Sequence, residues 1–189
     1  IRDNLNDDGI NPSVGTIDSP DIGVGHSTIF PVINYNVAVT HQNPIANKDR
    51  YIFVRIKNIG TDFCLDADLK VFLKTATGVP NFDFPIAWEN AAPIKEVENS
   101  TNPGLYFFNT EIKDMFGSNF VEIKEGDIQP GGDRTFRVKW PKAFIPRRDS
   151  GLDTYIMAMI TPFDGIRAGS QVSDNSNLTY KHVQLVDLV

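Results

Sequence analysis

An all-β domain, a sandwich or barrel of antiparallel strands, is the fold class this sequence predicts. Three observations predict it. Apolar and polar residues alternate with a period of two along several runs, and clusters of glycine, proline, asparagine and aspartate separate those runs. No segment sustains a helical stripe beyond about two turns. Short strands punctuated by turns, without helices to cover them, bury their apolar faces against one another.

The elements follow in chain order. Residues 1–33 read as a polar leader with one possible edge strand, "DIGVG" (21–25), whose glycines weaken it. "NYNVAVT" offers Tyr35, Val37 and Val39 to one face. "YIFVRIKN" places Ile52, Val54 and Ile56 inward and Tyr51, Phe53, Arg55 and Lys57 outward, and Asn58 and Gly60 end it. "FCLDADLKVFLK" alternates for a dozen residues, with Phe63, Leu65, Ala67, Leu69, Val71 and Leu73 on the dry side. A slip of one residue would bury Asp66 and Asp68, so its register is strongly specified.

Residues 77–128 exceed any minimal connection. They carry Pro80, Pro85, Pro93 and Pro103 and the rings of Phe82, Phe84, Trp88, Tyr106, Phe107, Phe108, Phe116 and Phe120. Burying one such ring contributes ~1.5–3 kcal/mol, whereas doubling a loop costs only ~0.6 kcal/mol in closure entropy. The segment is therefore expected to be an ordered excursion that packs back on the domain. Within it, "NTEIKDMFG" (109–117) reads as a short helix capped by Asn109 or Thr110 and stopped by Gly117.

Pro130, Gly131 and Gly132 mark a turn into "TFRVKW", where Phe136, Val138 and Trp140 face inward against Arg137 and Lys139. "TYIMAMI" (154–160) is apolar on both faces and reads as a central strand, followed by a turn at Asp164 and Gly165. "KHVQLVD" closes the chain with Val183 and Leu185 inward. Residues 34–189 thus read as one sandwich carrying the 77–128 excursion.

Length and composition agree. A chain of 189 residues with 41% hydrophobic residues suits one domain and buries roughly 70% of its unfolded surface. The formal charge of −6 opposes a phosphate-backbone binder and an anionic membrane surface. No apolar run approaches the ~20 residues of a membrane helix. A single cysteine, Cys64, excludes an intrachain disulfide and reads as a small strand side chain, with no histidine near it in sequence. The start at Ile1, without a signal-like region, reads as a processed fragment of something longer.

Little in the chain looks reactive. "NLNDDG" (4–9) matches the first half of a calcium loop, but the position that should bring a bidentate glutamate is Gly15. A looser calcium site from Asp3, Asn6 and Asp8 is the surviving alternative to a polar leader whose side chains cap their own turns, and the leader is the reading adopted. His26, His41 and His182 lack metal-binding spacing. His41 in "THQNP" reads as part of a turn directed by Asn43 and Pro44. Carboxylates are plentiful, yet nothing selects a glycosidase pair such as Asp83 with Glu89. No nucleophile elbow, phosphate loop or dinucleotide fingerprint occurs, so no enzyme and no cofactor is expected. The candidate ligand or partner surface is the aromatic excursion: Phe82, Phe84, Trp88 and Tyr106, as a stacking platform for a sugar or an anchor for a protein. The alternative use of these rings is to cover an open side of the sandwich.

Three motifs in order carry a resemblance. "VRIKNIG" ends a strand at Asn-x-Gly, "IQPGGDRTFRVKW" leads from a Pro-Gly turn into a strand ending in tryptophan, and "VSDNSNLTYKHVQLVD" forms an Asn-rich approach to the last strand. Together they resemble the bacterial cell-adhesion-related (CARDB-type) domain. Further motifs, "RDNLNDDGINPS", "SPDI", "HQNP" and "RYIFVRIKN", resemble a set of poorly characterised bacterial proteins across nearly the whole chain. The chain departs from that pattern at Gly23, where an aromatic commonly follows Ser-Pro-Asp-Ile. The resemblance implies an immunoglobulin-like sandwich of about seven strands in an extracellular or surface-exposed bacterial protein, and it lends no catalytic residues. The implied role is a non-catalytic adhesion or assembly module contacting a protein or glycan surface, adjacent domains or neighbouring subunits. Alternatives are a structural subunit of a phage-tail-like or secretion assembly and an accessory module of a secreted hydrolase.

Overall fold

The computed structural model describes residues 18–27, 38–39, 41–45, 48–63, 67–78, 105–107, 112–114, 122–123, 128–148, 151–162 and 177–186. Nine strands lie among them: β1 (Ile22–Gly25), β2 (Arg50–Lys57), β3 (Ala67–Ala76), β4 (Leu105–Phe107), β5 (Ile112–Asp114), β6 (Glu122–Ile123), β7 (Asp133–Trp140), β8 (Asp153–Pro162) and β9 (Leu178–Val183). A short 3-10 turn, Lys142–Phe144, follows β7. The strands form two antiparallel sheets, β1-β2-β7-β5 and β4-β3-β8-β9, and β6 pairs with the start of β3.

The two-residue period places the core as the sequence predicts. Ile52, Val54 and Ile56 of β2, Leu69, Val71 and Leu73 of β3, and Phe136, Val138 and Trp140 of β7 join one hydrophobic cluster. Ile156, Ala158 and Ile160 of β8 and Val183 of β9 belong to the same cluster, and Leu185 packs against it. Both sheets contribute, so each apolar face is buried by the other sheet's side chains. β8 lies between β3 and β9 and is buried from Thr154 to Ile160, as a run apolar on both faces should be. β1 is the edge strand expected at residues 21–25. It pairs with β2 in the register Ile22↔Val54 and Gly23↔Phe53, so the departure at Gly23 stands opposite a phenylalanine.

The turn before β7 forms as its residues dictate. Gly132 N–H donates to Gln129 O at 2.9 Å, and Gly131 takes a φ of 72° after Pro130. Proline followed by a glycine of positive φ is the combination a type II turn needs.

Three expectations are corrected. The short helix expected at 109–117 is replaced at its described residues by a strand, because Ile112–Asp114 is β5, paired with β7 from Ile112↔Val138 to Asp114↔Phe136. A free edge on β7 offered those residues a ladder that local propensity does not register. Within residues 77–128, β4 and β6 pair with β3 and β5 pairs with β7. The strand begun at Phe63 starts instead at Ala67, leaving Phe63 57% exposed. Finally, the faces read as outward are not all wet. Phe53 and Arg55 of β2 and Phe72 and Lys74 of β3 are buried as well. Tyr35 and Val37 lie outside the described residues. Val39 is buried beside β1, not in a strand.

Candidate functional site

Three of the sequence motifs converge on one side of the domain. "SPDI" brings Asp21 onto the face of β1 opposite Ile22 and Val24, where Arg55 of β2 meets it. Arg55 Nε and Nη2 donate to Asp21 Oδ1 at 2.9 and 2.6 Å, and Arg55 N–H donates to Asp21 O at 2.8 Å. Both side chains are almost fully enclosed, 2% and 1% exposed. Ser19 Oγ accepts from Asp21 N–H, and Ser19 N–H donates to Tyr180 O at the edge of β9. Lys181 Nζ reaches Asp18 Oδ2 at 3.2 Å and Ser19 O at 3.3 Å. Residues 18–21 therefore cross from the second sheet to the first.

"HQNP" supplies a second crossing. Val39 N–H and Gln42 N–H donate to Pro20 O and Val24 O, and Val186 N–H donates to Pro44 O. His41 Nδ1 accepts from Val24 N–H at 3.3 Å, which puts the ring proton on Nε2, facing Asn43 Oδ1. Burial pushes the His41 pKa down, and the nearby Lys181 ammonium pushes the same way, against the Asn43 hydrogen bond and Asp18. This constellation is a clamp between sheets. Asp21 and Arg55 face each other in its enclosed part, whereas Asp18 stands exposed at its rim.

The exposed counterpart is the loop from Asn58 to Phe63. The half-buried Asn58 amide donates to Asp62 O at 2.8 Å and to Ile128 O at 3.0 Å, and its Oδ1 accepts from Gly60 N–H at 2.9 Å. Its backbone exchanges hydrogen bonds with Gly131 and Gly132, both 2.9 Å, extending the β2–β7 ladder into the turn. On this braced loop Ile59 and Phe63 stand 43% and 57% exposed. Large apolar side chains held in water on a rigid loop are characteristic of contact surfaces. The alternation through residue 63 concealed this. The one local hint was Gly60-Thr61-Asp62, a turn cluster that ends the preceding run and starts no new period.

A groove of about 460 Å³ opens beside the end of β9, lined in part by Arg148, Leu152, Asp153, His182 and Gln184. His182 Nε2 lies 3.2 Å from Asp153 Oδ1, and the His182 ring is tilted over Tyr155 at 5.0 Å. Burial, helped by Asp153, pushes the Tyr155 hydroxyl pKa up. An Asp–His pair orients a base for nucleophilic catalysis only when a hydroxyl or thiol stands next to the imidazole. Among the described residues the groove lining holds no serine, threonine or cysteine.

Of the residues singled out from sequence, Tyr106 lies in β4, paired with Leu73. Phe82, Phe84, Trp88, Asp3, Asn6 and Asp8 lie outside the described residues. Among the described residues no group of three or more His, Cys, Asp or Glu side chains is placed to hold a metal ion. Among the same residues no helix is long and apolar enough to cross a membrane. Two antiparallel sheets sharing a core, with an apolar loop at one end, define an all-β protein. Compared with known proteins, the chain matches no family model and no curated sequence.

Proposed function

We propose that this chain is a non-catalytic binding module of a bacterial surface or secreted protein, folded as an immunoglobulin-like sandwich of the cell-adhesion-related type. The strand order supports the fold reading. With β1, β2, β7 and β5 as A, B, E and D, and β4, β3, β8 and β9 as C′, C, F and G, the two sheets follow the immunoglobulin arrangement. The observation that carries the functional reading is the Asn58-braced loop presenting Ile59 and Phe63 to solvent. Burying the Phe63 ring against a partner would contribute about 1.5–3 kcal/mol, and a loop already held in place loses little further entropy on docking.

The test is binding of the labelled chain to intact cells of its source organism and to its isolated surface fraction. Saturable binding that falls at least tenfold in Phe63→Ser, with the melting temperature unchanged, is the expected result. Binding that is absent, or that stays at the wild-type level in both Phe63→Ser and Ile59→Ser, overturns the proposal.

A further inference from the structure

The inward positions of β2 and β8 read Arg50, Ile52, Val54, Ile56 and Thr154, Ile156, Ala158, Ile160. The polar member of each set lies at the same end of the core. Ser19 ties Tyr180 of β9 to the level of Asp21 and Arg55. Pro44 ties Val186 to a level beyond Gln42 and Val24, and Val24 faces Ile52. Passing from Tyr180 to Val186 therefore moves from Arg55 towards Arg50. Thr154 pairs with Val183 on that same stretch, and Arg50 pairs with Trp140.

Both polar side chains are enclosed, Arg50 at 3% and Thr154 at 1% exposure. Arg50 Nη1 donates to Asp49 O at 2.7 Å, but Nε and Nη2 meet no hydrogen-bond acceptor among the described residues, nor does Thr154 Oγ1 have a partner there. The charge of Asp49 acts on Arg50, yet its carboxylate accepts from Lys142 N–H at 2.9 Å and pairs with Lys139 at 3.4 Å. Burial pushes the Arg50 pKa down, against the pull of Asp49.

The same two atoms in Arg55, Nε and Nη2, hold the carboxylate of Asp21. That comparison states the chemistry Arg50 lacks. A guanidinium only donates, so its partner must accept. Water would meet the hydrogen bonds but leave the enclosed charge uncompensated, whereas an oxyanion meets both needs and fits the fork with two oxygens. We infer that Arg50 is a receptor for a small oxyanion, held side-on by Nε and Nη2 at the Trp140–Thr154 end of the core. The 3-10 turn at 142–144 is tied to Asp49, the neighbour of Arg50, through the Lys142 N–H bond.

The experiment is a titration of the intact chain with formate, acetate and phosphate, each against chloride at matched ionic strength. The Arg50 side-chain Nε–Hε resonance and the melting temperature are followed. A saturating shift of that resonance is expected. It should come with a rise of about 3–6 °C at ten times the half-saturating concentration that is absent in Arg50→Met. The formate and phosphate arms distinguish a planar from a tetrahedral ligand. A resonance that none of the three anions moves overturns the inference, as does a thermal rise of equal size in Arg50→Met. Should Arg50→Met fail to fold, the wild-type resonance alone decides.

Discussion

Asp21 and Arg55, thirty-four positions apart, are joined through side chain and backbone at once. One carboxylate oxygen accepts both Nε and Nη2, while the Asp21 carbonyl accepts the Arg55 amide. A buried pair of this kind gains little over an apolar isostere but is costly to break from one side, because the survivor is an enclosed bare ion. Asp21→Ala should therefore destabilise the domain by about 3–5 kcal/mol. The double variant Asp21→Leu/Arg55→Met should cost less than either single change. Urea denaturation of the three variants measures this, and an additive double variant contradicts it.

His41 predicts how stability follows pH. Its folded pKa lies below the ordinary 6.5, through burial first and Lys181 second. Above pH 6.5 the ring is neutral in both states and its contribution is fully present. As pH falls below 6.5 the unfolded chain takes up the proton first, so stability declines until the folded pKa is passed. His41→Asn keeps an acceptor in place of Nδ1 for Val24 N–H and cannot titrate. Denaturation midpoints between pH 7.5 and 5 should fall more steeply for the wild type than for this variant. Parallel profiles would remove His41 from the account.

Asn58 braces the apolar loop with three side-chain hydrogen bonds. Asn58→Ala should cost about 1–3 kcal/mol, since Ile128 O and Gly60 N–H lose partners. The more specific consequence is dynamic. Amide exchange at Gly60 should quicken by at least tenfold relative to the β2 core, as read by hydrogen–deuterium exchange.

Gly25 is required by a neighbour, not by its backbone angles. A Cβ built there would lie 2.8 Å from Cε2 of the buried Phe53 ring. Gly25→Ala should destabilise by about 1–3 kcal/mol, the usual cost of overpacking. Adding Phe53→Leu, which removes the opposing ring edge, should recover part of that loss in thermal melts.

Two-residue alternation made β2, β3 and β7 legible with their inward residues, and a run apolar on both faces made β8 legible. A side chain that must avoid water is marked by its own chemistry, and the strand fixes which neighbours share its fate. Alternation cannot say what happens to the second face. Phe53, Arg55 and Phe72 were read as outward, and all three are buried. Nor can a period be read from strands of two or three residues, so β5 was taken for a helix and β4 and β6 for parts of an excursion.

The exposure of the 58–63 loop was hidden for a related reason. Phe63 fits the phase of Leu69 and Val71, yet Phe63 lies outside β3, which runs Ala67–Ala76, and phase carries no meaning beyond the strand.

By itself, then, the sequence determined the all-β class, the inward faces of the main strands and most of the shared core, because those depend on local order and on the hydrophobicity of each residue. Tertiary structure alone decided that Asp21 seeks Arg55, that His41 reaches across to Val24, that Asn58 stiffens an apolar loop and that Nε and Nη2 of the enclosed Arg50 meet no acceptor among the described residues. Each of these is a relation between groups distant in the chain or between a side chain and its enclosure. Pairing energies act through space, and residue spacing along a chain does not encode distance in the folded state.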